Sequence, residues 1–129
     1  MNANAEKVLY VIRSGPYSNA IGVEALDAIM IGASFELDVS VLFLSDGVFQ
    51  LKKDQKTLVK DQNGEAPSLK QFTKAYRALS DFGVDSLYIQ DLSLATRGLS
   101  ASDLMVPVTI IDSPSVAQLI AEQSRVFTF

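Results

Sequence analysis

The chain has 129 residues, 48% of them hydrophobic and 20% charged, a size and balance that suit one folded domain with a substantial core. Its formal net charge of −4 argues against unaided nucleic-acid binding, which needs a basic footprint. It contains neither Cys nor His, so this chain supplies no thiolate, no persulfide carrier, no imidazole base and none of the commonest zinc ligands, and neither a metal site nor a cofactor is expected.

The polar start, Met1 to Lys7, lacks the charged-then-apolar order of a signal peptide. No apolar run reaches the roughly 18 to 20 residues of a membrane helix, so no membrane contact and a cytoplasmic location are expected. The first element, Lys7 to Arg13, is apolar, β-branched and aromatic, and reads as a buried strand ended by Ser14-Gly15-Pro16. Asn19 could cap the helix that follows, Ala20 to Ser34, whose polar residues Glu24 and Asp27 share one narrow stripe. A helix apolar over most of its circumference is covered on two sides, one by the sheet and the other by a second subunit or by the packing of a small layered domain.

Asp38 to Leu44 is the second strand, and Ser45 to Pro67 reads as a long connection. That connection opens with Asp46-Gly47 and then places Val48 and Phe49 where a polar loop should follow, which suggests exposed apolar residues awaiting a partner. Its middle, Lys52 to Glu65, is charged and reads as a solvated flap. Ser68 to Phe82 carries Leu69, Phe72, Ala75, Tyr76 and Leu79 at helical spacing and is closed by Gly83. Val84 to Ile89 is the third strand. Asp91 to Arg97 reads as a short helix capped by Asp91 at its start and Gly98 at its end, and Ser100-x-x-Asp103 has the form of a capping box. Val106 to Ile111 is the fourth strand with Pro107 near its entry, Ser113 to Glu122 a helix with Pro114 at its first position, and Arg125 to Phe129 a last strand. Strands apolar on both faces alternate with helices, which predicts a single three-layer α/β/α domain over residues 1–129 with a mainly parallel, five-stranded sheet.

Three places could carry chemistry. The loop Ser14 to Asn19 could cradle a phosphate, but it lacks a Gly-x-Gly-x-x-Gly or Walker pattern and Pro16 removes an amide donor, so a tight turn explains it as well. Asp46 could be a base or metal ligand, yet Asp before Gly is above all a turn former. Gln90 directly follows the third strand and precedes a helix start, whose free amides would favour a thiolate or anion; the residue there is glutamine.

Ser45-Asp46-Gly47-Val48-Phe49-Gln50-Leu51 resembles the D-G-V-F-Q-L signature of the TusC/DsrF proteins of the DsrE/DsrF/DsrH superfamily. Gly22 to Ala28 is similar to that family's G-x-E-A-L-D-A helix, Phe82 to Tyr88 to its F-G-V-x-x-L-Y/W stretch, Ser93 to Leu99 to its S-L-x-x-R-G-L, and Val126 to Phe129 to its closing strand. The matches are collinear and span nearly the whole chain. The resemblance implies a sulfur relay: TusB, TusC and TusD assemble as a heterohexamer that passes persulfide sulfur from TusA towards TusE for 2-thiouridine at tRNA wobble positions, and DsrEFH relatives serve sulfur oxidation. It implies TusB/DsrH-like and TusD/DsrE-like partners, or self-association when the chain is alone. Counted from the Arg97-Gly98 pair, Gln90 occupies the family's cysteine position. The role implied is therefore a non-catalytic, interface-forming subunit with Asp46, Val48, Phe49 and Gln50 as interface residues. Two other readings compete: a self-standing α/β module that binds a small anion or nucleotide through the loops after Arg13, Leu44 and Ile89, and a homo-oligomeric structural protein that has lost the relay.

Overall fold

The structure is a computed structural model and describes residues 5–16, 20–53 and 68–129, with side chains not described over 68–73. Strands β1 (Lys7–Ile12), β2 (Asp38–Phe43), β3 (Ser86–Gln90), β4 (Thr109–Ile111) and β5 (Arg125–Thr128) form one sheet in the order β4-β3-β2-β1-β5. Every neighbouring pair is parallel. The parallel five-stranded α/β sheet read from the alternating pattern is thus present.

Helix α1 (Ile21–Ser34) and the helical run Ser68–Phe82, which closes with i→i+3 bonds, cover one face. Between them and the sheet lies the main core: Val8, Tyr10 and Ile12 of β1, Val39, Val41 and Phe43 of β2, and Leu87 and Ile89 of β3, packed on Ala25, Leu26, Ile29, Tyr76 and Leu79. Phe43 and Tyr76 meet edge to face with ring centroids 5.4 Å apart. On the opposite face, Leu9, Val11 and Leu42 pack against Val116 and Leu119 of α3 (Ser113–Ala121). The short helix α2 (Asp91–Thr96) follows β3 directly.

The apolar strands divide by position. β1 and β2 are buried on both faces, as expected. β3 alternates between buried and partly buried residues, and β5 is exposed throughout, because β4 and β5 are edges and a single helix among the described residues packs on the second face. The fourth strand is shorter than Val106 to Ile111: Pro107 has no N–H to give to a ladder, and pairing begins only at Thr109.

Several local readings hold. Gly83 and Gly98 adopt φ of +83° and +67°, the left-handed conformation that ends a helix, and Ser100 and Asp103 make both bonds of a capping box. Asp91 is the first residue of α2, not its cap; the capping position falls on Gln90. The cap of α3 is Asp112, whose carboxylate accepts the Ser115 N–H at 2.9 Å, a partner not read from the sequence. The Asn19 cap, the end of the phosphate-loop candidate (Tyr17 to Asn19), the charged flap from Asp54 onward, and the side chains of Leu69 and Phe72 lie outside the described residues.

Candidate functional site

In an open parallel sheet, the loops beyond the carboxyl ends of the strands gather ligands and partners. Here the exits of β2, β3 and β4 converge. Gln90 ends β3 and stands beside Ile111 of β4 in register. Its Nε2 donates to Ser113 Oγ at 3.1 Å, at the start of α3. Its Oε1 accepts from Ser93 Oγ at 2.5 Å, one turn into α2. Ser93 Oγ in turn accepts the Ser45 backbone N–H at 2.9 Å, just beyond β2. One serine hydroxyl therefore joins two strand exits, and the amide of Gln90 is occupied at both ends. Gln90 was singled out from its place in the chain; Ser93 and Ser113 were not. The available signal was the hydroxyl three residues after Gln90, one helical turn on and on the same face.

The motif from Ser45 to Leu51 is not a loose loop. It forms a 3₁₀ segment, Ser45–Leu51, that folds back on the strand ends. Val48 and Leu51 are fully buried in the core, each contributing on the order of 1.5–3 kcal/mol of apolar burial. Gln50 is also fully buried, and its Nε2 donates to the Ser14 carbonyl at 2.9 Å, which ties the segment to the turn after β1. The Leu51 carbonyl accepts the Met105 N–H at 2.8 Å. Of the four residues expected at an interface, Val48 and Gln50 are thus enclosed by their own chain, Phe49 is half-buried and Asp46 is exposed. The expectation that Val48 stands exposed is corrected: the 3₁₀ turn rotates it inward, which a reading of the segment as an extended loop could not foresee.

Asp46 has a definite partner. Arg97 Nε donates to Asp46 Oδ1 at 3.0 Å, and Arg97 Nη1 donates to the Ser93 carbonyl at 3.2 Å. The two halves of the sequence resemblance, the Asp-Gly motif and the Arg-Gly pair, meet here, 51 residues apart in the chain. The ion pair is largely solvated and is worth at most about 1 kcal/mol, so it locates the two loops more than it stabilises them. Asp46 is exposed and is the ion-pair partner of Arg97.

No group of three or more metal-ligating side chains occurs among the described residues, and no described helix is long and apolar enough to cross a membrane. The arrangement consists of a serine–glutamine–serine hydrogen-bonded chain at the strand exits, an ion pair beside it, and buried apolar packing beneath.

Known proteins resemble this chain over its whole length. A protein of Allochromatium vinosum described as intracellular sulfur oxidation protein DsrF is 36% identical, with all of both chains aligned. A TusC homolog of Pseudomonas aeruginosa is 34% identical over 96% of this chain and 98% of its own. Among solved structures, the ychN protein of E. coli superposes with a TM-score of 0.76 at 23% identity, covering 96% of this chain and 99% of that one, a likeness of fold. The model of the DsrE/DsrF-like family matches residues 6–129. With a matching family model across nearly every residue, and a relative above one-third identity end to end, the chain belongs to the DsrE/DsrF-like family, the sulfur-relay group that its motifs resemble.

Proposed function

We propose that this chain is a non-catalytic subunit of a TusBCD/DsrEFH-type sulfur-relay complex in the cytoplasm. It takes its place beside TusB/DsrH-like and TusD/DsrE-like subunits in a heterohexamer. The observation that carries this reading is Gln90. It stands at the end of β3, at the start of α2 and ahead of the Arg97-Gly98 pair, the position that the sequence resemblance gives to the family's persulfide-bearing cysteine. An amide cannot be persulfurated, and a chain without Cys has no other sulfur acceptor. The hydrogen bonds from Gln90 to Ser113 and from Ser93 to Gln90 give the amide a structural use in place of a chemical one. Exposed apolar side chains, among them Ile31 and Phe35 at the end of α1 and Phe127 on the β5 edge, supply surface for neighbouring subunits, with Phe49 and Asp46 at the other end of the sheet.

The destination proposed is 2-thiolation of the tRNA wobble uridine, in keeping with the relatives named TusC. The relative named for intracellular sulfur oxidation supports that process as the second reading.

Coexpression with neighbouring TusB-like and TusD-like chains, followed by affinity purification through this subunit, should recover all three. Phe49→Ala should weaken that recovery. Incubation of the purified assembly with glutathione persulfide should add sulfur to the TusD-like chain and leave the intact mass of this one unchanged. A covalent mass gain on this chain would end the non-catalytic assignment. Loss of tRNA 2-thiouridine on deletion of the gene would support the first destination; normal 2-thiouridine with impaired sulfur oxidation would establish the second.

A further inference from the structure

Where β1, β2 and β3 begin, a hollow of about 180 Å³ opens between the sheet and the end of α3. Central parallel strands are expected to be apolar on both faces, and on this face Leu9, Val11 and Leu42 are. Toward the strand starts the same face turns polar. Ser40 of β2 and Ser86 of β3 stand side by side in register, and with Tyr88 they bring three hydroxyls to the hollow. Its volume is far above the roughly 10–15 Å³ that one water needs, so a small solute fits.

Ser40 is only 9% exposed, and its hydroxyl makes no hydrogen bond among the described residues. Burying a hydroxyl without a partner is costly, and the hollow that Ser40 lines is the side from which a partner can reach it. Gln123, on the helix side, adds an Oε1 that is buried without a partner among the described residues, while its Nε2 donates to the Leu119 carbonyl at 3.0 Å. Charges of both signs complete the lining. Lys7 and Asp38 are register neighbours across β1 and β2, yet no ion pair joins them, and Glu122 adds a second carboxylate. A lone anion meets two carboxylates here and a lone cation meets a lysine. A molecule that carries both charges finds a complement for each.

We propose that this hollow binds a small α-amino acid as its zwitterion, with the carboxylate toward Lys7, the ammonium toward Asp38 and Glu122, and a hydrogen bond to the Ser40 hydroxyl. β3 runs from Ser86, on the hollow, to Gln90, so this site and the relay position stand at opposite ends of one strand. The binding does not depend on the subunit's place in a sulfur relay.

The test titrates the full chain separately with glycine, L-alanine and L-serine and follows its backbone amide resonances. At least one of the three should bind saturably, with shifts centred on Ser40, Ser86 and Gln123. Acetate, ethylamine and glycerol, which carry one charge or none, should bind about tenfold more weakly or less. Lys7→Met and Asp38→Asn should each lower affinity by about tenfold. Asp27→Asn, at an exposed carboxylate of α1 on the other face of the sheet, should leave it unchanged. Ser40→Ala separates binding from folding: the ligand-free variant should melt no lower than wild type, because the hydroxyl has no bond to lose, while amino-acid binding weakens. Ser40→Val, whose side chain suits a strand and fills the space, should abolish binding. No saturable binding by any of the three amino acids overturns the proposal and leaves the hollow to water. So does acetate, ethylamine or glycerol binding as tightly as the amino acids, or unchanged affinity in Ser40→Ala or in folded Lys7→Met or Asp38→Asn. A lower melting temperature of ligand-free Ser40→Ala, or shifts that map to the Gln90 end, would also overturn it.

Discussion

The backbone N–H of Ser45 donates to the hydroxyl of Ser93 at 2.9 Å, bridging 48 positions of sequence. Ser45 adopts φ +52°, a conformation uncommon for a residue with a side chain, and this bond holds it there. Because the same hydroxyl donates to Gln90 Oε1, the exit of β2 and the end of β3 are fixed as a unit.

Ser93→Ala should break both links at once. Ser93 is only 4% exposed, and removing its hydroxyl leaves the Ser45 N–H and the Gln90 carbonyl short of a partner. Denaturant unfolding should show a loss of about 1–3 kcal/mol. Amide resonances of Ser45 and Gln90 should broaden or shift while those of α3 beyond its first turn stay in place.

Gly47→Ala should be the more damaging change within the Ser45–Leu51 segment. A Cβ at this position would overlap the Ile12 carbonyl, a backbone group that cannot swing aside. The segment would have to lift off β1, withdrawing Val48 and Leu51 from the core, and the expected loss is about 3 kcal/mol or more. Asp46→Asn, one residue earlier and exposed, should cost under about 1 kcal/mol. Similar melting temperatures for the two variants would contradict this packing.

Tyr76→Phe should leave stability unchanged or raise it by about 1 kcal/mol. The ring is buried against Phe43, and its hydroxyl is buried without a hydrogen-bond partner among the described residues. That burial also pushes the phenol's pKa upward, so Tyr76 stays neutral through the ordinary alkaline range. A clear loss of stability on removing the hydroxyl would reveal a bond that this packing does not contain.

Acid should weaken two loops by the same route. The Asp112 carboxyl is held below its ordinary value by the Ser115 hydroxyl and N–H, and that of Asp103 by the Ser100 N–H and hydroxyl together with Lys52 and Lys53. A depressed folded pKa means that each carboxylate contributes stability above the unfolded value of 3.8, and that this contribution disappears as pH falls through the lower folded value. Melting temperature should fall as pH drops from about 5 towards 2, and the fall should be shallower in Asp112→Ala and Asp103→Ala, which have already lost the linkage. Parallel curves for wild type and both variants would remove these groups from the acid response.

Much of the fold follows from local chemistry. The β-branched run of Lys7–Ile12 and the apolar core of Asp38–Phe43 fit only buried parallel strands, and Gly83, Gly98 and the Ser100–Asp103 box mark their turns by residue type alone. The absence of Cys and His excluded thiol and imidazole chemistry before any coordinates, because a missing atom cannot be supplied by folding. The position of Gln90 at a strand end before a helix was equally legible. Tertiary structure decided what no local pattern holds. Asp46 meets Arg97 and Ser45 meets Ser93 only because parallel pairing brings the exits of β2 and β3 side by side. Val48 turns inward because Gly47 permits the segment to close on the Ile12 carbonyl, a contact between residues that are distant in sequence.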